Sequence, residues 1–428
     1  MQLRPYQIDL VSKVERLLAL KCPRILMQMG TGGGKTACAA YFLKRVVSAG
    51  YKAIFVAHLS ELVGDTHARL TKMGVHTGFI QAGRPSDAAA PVQVCSTMTL
   101  YSREASPPAD ILLFDECHRT PCATMQAIVA RYPRAHVLGL TATPMRSDGQ
   151  ELGNDYDVMV QGPSNRWLTE HGYLVPCDVV SPPQPTDDAM AMDPVEAYRR
   201  YGEGRVCIVF AESVAHAKHL AERFGGALII GETPREERER IRESMMRGET
   251  RVVVGVDVFI EGWDVPAASI AIFARRFGVL GGFLQACGRV LRPFPGKARA
   301  CVIDLYGSVL LHGLPDEDRL WTLEKGAVRT EKLASITRCG ECFAMFRPSS
   351  VCPRCGANTR VTRAVRMPRV LSKAEKLEKL SHLTQEQRDA RYLATLIHVA
   401  ETRMRLSGKR AESWARRQFE KRFKRSAA

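Results

Sequence analysis

No uninterrupted apolar stretch in the 428-residue sequence reaches the roughly 20 residues needed to span a bilayer, which excludes a helical membrane protein. Met1-Gln2-Leu3-Arg4-Pro5-Tyr6 lacks a basic segment leading into an apolar one, so export is not expected and a soluble, cytoplasmic protein is. No short-period repeat is visible, so any likeness between the two halves would be architectural. A disulfide framework fits poorly as well. Of 13 cysteines, nine are scattered through apparent core segments, as Cys38, Cys95 and Cys207 are, where a reduced thiol acts as a small hydrophobe. The remaining four are clustered and need another explanation.

Acidic residues are in deficit, 45 against 61 Lys and Arg, giving a net charge of +16. The excess is concentrated at the end of the chain, where residues 366–428 carry 17 Lys and Arg against 7 Asp and Glu. Such a footprint suits phosphate backbones, although acidic membranes and polyphosphates attract it too. The chain is too long for one core and suits two domains with appendages.

Apolar runs alternate with helical patterns at Ile25–Gln28, Ala53–Ala57, Val92–Ser96, Ile111–Phe114 and Val137–Leu140, which predicts a parallel sheet with crossover helices. Ser181-Pro182-Pro183-Gln184-Pro185-Thr186-Asp187-Asp188 breaks this periodicity and predicts a linker over 181–203. A second alternation follows at Val206–Phe210, Ala227–Ile230, Val252–Val256, Ile270–Phe273 and Cys301–Leu305. The expected fold is α/β, with domains over 1–180 and 204–330.

Chemistry concentrates at two strand ends. Arg24–Met29 reads as a buried strand feeding the turn Gly30-Thr31-Gly32-Gly33-Gly34-Lys35-Thr36, with a helix predicted over 37–47. The glycines let backbone N–H groups approach a phosphate chain, Lys35 supplies a point charge, and the Thr36 hydroxyl can ligate magnesium. The usual pattern has Gly where this chain has Met29. The second strand, Asp110–Phe114, delivers Asp115 toward the magnesium and Glu116 toward the water that attacks the terminal phosphate. The pair of segments predicts a nucleoside triphosphatase.

With these motifs the chain resembles the superfamily 2 helicases and translocases of the DEAD/DEAH-box type. Leu3-Arg4-Pro5-Tyr6-Gln7 is similar to the adenine-reading segment, with Gln7 as its amide, and the phosphate loop and Asp115-Glu116-Cys117-His118 are similar to motifs I and II. Phe55-Val56-Ala57-His58, Cys95-Ser96-Thr97 and Gly139-Leu140-Thr141-Ala142-Thr143-Pro144 resemble motif Ia, a nucleic-acid contact motif and motif III. Val256-Asp257 with Glu261-Gly262-Trp263-Asp264 resembles motif V, and Gln285-Ala286-Cys287-Gly288-Arg289-Val290-Leu291-Arg292 has the form of motif VI. Met145-Arg146, Asp148-Gly149 and His171-Gly172-Tyr173-Leu174 look closest to RadD-like bacterial DNA-repair ATPases and phage-encoded helicases.

The resemblance implies two tandem RecA-like domains with ATP and Mg2+ between them. It implies Lys35, Asp115, Glu116, Arg289 and Arg292 as the catalytic set, the two arginines acting as fingers from the second domain. Gln7, Gly30 to Thr36, Asp115 and Gln285 would bind the nucleotide, with Thr36 and Asp115 holding magnesium. His118, Thr141 and Thr143 would couple nucleotide state to domain motion, and Gly262 and Asp264 would relay it to nucleic acid. His58 reads equally as a structural or a functional histidine.

Beyond these domains, Cys339-Gly340-Glu341-Cys342 and Cys352-Pro353-Arg354-Cys355-Gly356 form two Cys-x-x-Cys knuckles. Tetrahedral thiolate coordination of Zn2+ explains the spacing, with Gly340 and Gly356 easing the backbone and a hairpin expected over 343–351. Disulfides and an iron–sulfur cluster are the alternatives. A zinc ribbon over 336–360 and a basic helical tail over 366–428 are therefore expected. In the tail, Trp414, Phe419 and Phe423 among cations would stack on unpaired bases or dock the helix on the core. The expected function is an ATP-dependent DNA helicase or translocase, with DNA and replication or repair proteins as partners and no membrane. An RNA-dependent helicase and a nucleic-acid-binding ATP switch are the alternatives, and the sequence leaves the oligomeric state open.

Overall fold

The computed structural model describes residues 3–59, 61–80, 87–103, 107–146, 151–184, 189–259, 263–323 and 336–359, and within the tail only 408–410, 412–413 and 416. The expected helical tail, and with it the role of its aromatic residues, lies outside the described residues save for those few. So do Gly262, Asp148 and Gly149. Among the described residues no helix is long and apolar enough to cross a membrane.

The first sheet has seven parallel strands: β1 (Arg24–Gln28), β2 (Ala53–Ala57), β3 (Thr77–Ile80), β4 (Val92–Ser96), β5 (Ile111–Phe114), β6 (His136–Thr141) and β7 (Val158–Gln161). Their order is β3-β4-β2-β5-β6-β1-β7. Helices cover both faces, so the strands are buried on two sides and read as unbroken apolar runs rather than alternating ones. Alternate residues serve two cores: Ile25 and Met27 of β1 face one cluster, and Leu26 faces the other with Phe114 and Tyr156. Gly139 of β6 lies where a methyl group would come within 2.4 Å of the Tyr156 ring, and Tyr156 is 1% exposed. Gly139→Ala is expected to destabilise the fold by about 1–3 kcal/mol through overpacking, read as a lowered denaturant midpoint.

The second sheet is built from β8 (Cys177–Val180), β9 (Cys207–Ala211), β10 (Ala227–Ile229), β11 (Val252–Gly255), β12 (Ile270–Ala274) and β13 (Ala300–Asp304), all parallel. The hairpin β14 (Thr337–Arg338) and β15 (Ala344–Phe346) adds to its edge, giving the order β10-β11-β9-β12-β13-β8-β15-β14. Two tandem RecA-like parallel-sheet domains are thus present.

Three expectations need correction. The break at 180/181 is too late, because β8 already pairs with β13 of the second sheet. The segment expected as a linker over 181–203 is not free either: Met190, Met192, Ala197 and Tyr201 pack into the second core. The prolines mark the exit from a strand, not the space between domains. The hairpin expected over 343–351 is also displaced. β14 and β15 flank the first knuckle, and a bridge between Val351 and Asn358 brackets the second, so each Cys pair sits in its own turn.

Candidate nucleotide site and metal centre

Parallel strands deliver their C-terminal ends to one edge of the sheet, and helix N-termini point there too. β1 ends at Gln28, the loop turns through Gly32 (φ 89°) and Gly34 (φ 93°), and helix α2 (Lys35–Ser48) begins at once. It starts two residues earlier than expected, so Lys35 and Thr36 occupy its first turn. The loop is crowded around its backbone: methyl groups at Gly30, Gly33 and Gly34 would lie 2.3, 2.6 and 2.3 Å from Asn165, Met29 and Gln7. Met29 is tolerated because its side chain is fully buried in the core and its N–H donates to the Thr141 carbonyl at 3.0 Å.

Gln7, on helix α1 (Pro5–Ala19), is 5% exposed and holds the loop. Its Nε2 donates to the Gly33 carbonyl at 3.0 Å, and its Oε1 accepts from the Arg4 N–H at 3.0 Å. The Tyr6 hydroxyl donates to the same carbonyl at 2.9 Å. Tyr6 lies inside the Leu3–Gln7 segment, but its hold on the loop is not expected from that segment, and Asn165 carries no signal in the sequence. Asn165 lies against Gly30 while its Nδ2 donates to the Pro315 carbonyl at 3.3 Å, a contact visible only in three dimensions.

β5 brings the acid pair to the same edge. Glu116 takes a left-handed conformation (φ 42°), and its N–H donates to Asp115 Oδ1 at 3.0 Å. Glu116 Oε1 lies 3.3 Å from Lys35 Nζ and Oε2 lies 3.5 Å from His118 Nδ1. Burial and the neighbouring Glu116 charge push the Asp115 carboxyl up, while Lys35 and His58 draw it down less strongly. Burial pushes Glu116 up as well, but Lys35, His118 and Arg289 together outweigh it and hold the carboxyl low. Two adjacent half-buried carboxyls of opposed behaviour fit a divalent cation at Asp115 and a carboxylate kept charged at Glu116. Cys117, where Ala is usual, is fully buried among apolar side chains, which push its thiol up to about 12.

A chain of buried hydrogen bonds leaves this pair. His118 Nδ1 meets Thr141 Oγ1 at 2.9 Å, and Thr141 Oγ1 in turn accepts from the Thr143 N–H at 3.1 Å. Ser96 and Thr97, expected to touch nucleic acid, are 1% and 4% exposed. Ser96 Oγ caps the following helix by accepting from the Thr99 N–H at 3.1 Å.

The helix Leu280–Gly288 reaches this edge from the second half. A methyl group at Gly281 would lie 3.1 Å from Thr143 Oγ1, and one at Gly288 would lie 2.4 Å from Thr31 Cβ. Gln285 is 2% exposed within the same helix. Arg289 Nη1 donates to the Trp263 carbonyl at 3.2 Å, and Arg292 is paired with Asp264. Arg292 also approaches Gly32, with its Cγ 3.7 Å from a methyl group placed there. Asp264, expected as a relay to nucleic acid, is thus engaged by an expected finger.

The cysteine cluster stands apart at the far edge of the second sheet. Its four sulfurs lie within 4.8 Å of one another, with Cys339–Cys355 at 3.6 Å and Cys342–Cys352 at 3.7 Å. A disulfide would bring sulfurs to about 2 Å. A tetrahedral ion about 2.3 Å from each sulfur would space them by about 3.8 Å, so the set fits a metal ion. Gly356 (φ 75°) is required by its turn, whereas Gly340 is not at positive φ and has open space around it; Phe343 (φ 57°) takes the left-handed position in the first knuckle.

Two family models match the chain: "Type III restriction enzyme, res subunit" over residues 1–146 and "Helicase conserved C-terminal domain" over residues 193–293. The chain is 27% identical to a "51.5 kDa protein" of a Lactococcus phage (isolate 7-9), over 77% of each chain. It is 25% identical to the DNA 3'-5' translocase XPB2 of Sulfurisphaera tokodaii, over 68% of this chain and 79% of that one. A solved fragment described as an HsdR subunit of a type I restriction enzyme from Vibrio vulnificus YJ016 superposes with a TM-score of 0.58 at 20% identity. That superposition covers 73% of this chain and 66% of the fragment, and it bears on the fold alone. One family match lies on each parallel sheet, in the order that the phosphate loop and the Gln285–Arg292 segment require. The chain therefore belongs to the superfamily 2 helicases of the DEAD/DEAH type and is an ATP-hydrolysing helicase or translocase.

Proposed function

We propose that the chain is a DNA translocase or helicase in which ATP is hydrolysed between the two parallel-sheet domains. The carrying observation is the contact of Gly288 with Thr31, which brings the second domain's arginine segment to the phosphate loop of the first. In this reading Gly30 to Gly34 and the α2 N-terminus cradle the phosphates, and Lys35 neutralises their outer charge. Thr36 and Asp115 hold magnesium, which supplies Lewis acidity at the phosphate oxygens. Glu116 orients the attacking water, Gln285 and Gln7 border the nucleotide, and Arg289, with Arg292 beside it, meets the charge that develops on the transferred phosphate. His118, Thr141 and Thr143 carry the state of the acid pair to Gly281 and hence to the second domain. Gly262 and Asp264 extend the path toward nucleic acid.

DNA is favoured over RNA as the track because several relatives, XPB2 among them, are named as acting on DNA. ATP-dependent displacement of a triplex-forming strand from duplex DNA tests translocation without requiring unwinding. Displacement without ATP, or none with it, would contradict the proposal. Gly288→Ala is expected to slow hydrolysis about tenfold, roughly 1.4 kcal/mol of barrier, because the added methyl group pries the halves apart. Its ATP affinity, measured by titration, should stay close to wild type.

The cysteine cluster is proposed to hold structural zinc, since four thiolates leave no position open for substrate. One zinc per chain is expected by elemental analysis. Chelation should unfold the ribbon while leaving the sheet signal intact; iron with a visible absorbance would instead indicate an iron–sulfur cluster.

A further inference from the structure

A cavity of about 650 Å3 opens at the end of the second sheet opposite the nucleotide site. Its walls come from residues that immediately precede strands, such as Val206 before β9, Arg251 before β11 and Ser269 before β12, together with Pro353 and Arg354 of the second Cys knuckle. Five cations line it: Arg205, Arg251, Lys297, Arg299 and Arg354. Only two acids do, and each is matched by an arginine, Asp178 with Arg299 at 2.5 Å and Glu203 with Arg205 at 3.6 Å. The remaining cations have no carboxylate opposite them in the lining. Arg251 Nη1 donates to the Gly204 carbonyl at 3.0 Å, and Lys297 Nζ donates to the carbonyls of Pro266 and Ala268 at 3.0 and 2.6 Å. The Arg354 guanidinium lies over the Tyr201 ring, 5.3 Å from its centroid, and its Nη1 is buried with no hydrogen-bond partner among the described residues. Burial above all, with smaller contributions from Arg292 and Arg205 and a partial offset from Cys177, draws the Lys297 ammonium down to about 7, so the fixed positive charge of the cleft rests on its arginines.

A space of this size lies within the range of small-ligand sites, and the excess of fixed donors selects a ligand with several anionic oxygens. We propose that this cleft between the second sheet and the cysteine ribbon binds phosphate groups, as a phosphate site separate from the phosphate loop. The cleft is also wired to the nucleotide edge. The segment that carries Arg289 and Arg292 continues into Phe294 to Arg299 of the cleft wall. It is tied rung by rung to the segment from Trp263 to Ala268, by Arg289 to the Trp263 carbonyl, Arg292 to Asp264, and Lys297 to Pro266 and Ala268.

The phosphates could belong to a nucleic-acid strand or to a free polyphosphate, and two probes separate these sources. A short single-stranded oligodeoxynucleotide and inorganic tripolyphosphate are each titrated onto the full chain with the phosphate loop kept filled by saturating ADP. Failure of ADP itself to bind would count against the nucleotide reading and not against the cleft. In Arg251→Gln/Arg354→Gln, affinity for the cleft's ligand is expected to fall about tenfold. For a strand, the slope of log affinity against log salt should also flatten by about 1.4, two contacts at roughly 0.7 each. Hydrogen exchange at residues 294–299 should slow on binding in the wild type and not in the variant. Arg251→Gln alone, which leaves the ribbon untouched, should show part of the loss, and basal ATP turnover should be unchanged in both. Loss for the oligodeoxynucleotide assigns a strand, and loss for tripolyphosphate alone assigns a free polyphosphate. Unchanged affinities for both probes, with no protection at 294–299, would overturn the proposal.

Discussion

Arg289→Ala is expected to lower ATP hydrolysis about 10³-fold or more while leaving ATP affinity within a few-fold of wild type, as measured by single-turnover kinetics and nucleotide titration. The size of the effect follows from where charge develops. Phosphoryl transfer demands little covalent help and much electrostatic positioning, so a guanidinium that meets only the transition state acts on rate and not on binding. Arg289 is suited to this: its Nη1 is held by the Trp263 carbonyl at 3.2 Å, and its charge already helps keep Glu116 ionised. Arg289→Lys should not restore the rate, because a point charge cannot reproduce the planar fork. Arg292 differs, since its pairing with Asp264 is in place in the structure. Asp264→Asn should therefore mimic part of an Arg292 defect, and the steady-state rates of the two single variants and the double variant measure that coupling.

Glu116→Gln should abolish turnover to a comparable degree, by about 10²–10⁴-fold, with the fold and ATP binding retained. The amide keeps the shape but cannot accept the water's proton, and it loses the charge pairing with Lys35, whose Nζ lies 3.3 Å from Glu116 Oε1. A normal rate in the purified variant, with contaminating ATPase excluded, would sink this assignment. The acid pair also predicts a pH dependence. Glu116 is held low, so it stays ionised as pH falls through the ordinary carboxylate range. Asp115 is pushed up by burial and by Glu116, so it takes up a proton first on acidification. A protonated Asp115 holds magnesium poorly, and the acid limb of the rate profile should move to lower pH as Mg2+ is raised. An acid limb indifferent to Mg2+ would place the limiting protonation elsewhere.

Central parallel strands were legible because both their faces are buried: Ala53–Ala57, Val92–Ser96 and Ile270–Ala274 are apolar or wholly buried along their length. Strands with weaker patterns escaped. β3 is Thr-Gly-Phe-Ile at a sheet edge, and β7 ends in glutamine on the opposite edge. β8 is not among the strands expected from the sequence: nothing local says which sheet a parallel strand joins, and the prolines after it suggest a domain break that in fact lies earlier. The same limit governs the site. Lys35 opens α2 after the glycine loop, and Asp115 and Glu116 follow the end of β5, where local pattern specifies them. Tyr6, Asn165 and the Arg292–Asp264 pair depend on elements brought together by the fold.

The steady-state ATPase rate of the purified chain, measured alone and with saturating DNA or RNA of matched sequence, tests the central claim most directly. A two-domain site whose closure is coupled to a DNA track predicts a low basal rate that DNA raises and RNA raises less. A rate that neither nucleic acid changes would contradict it.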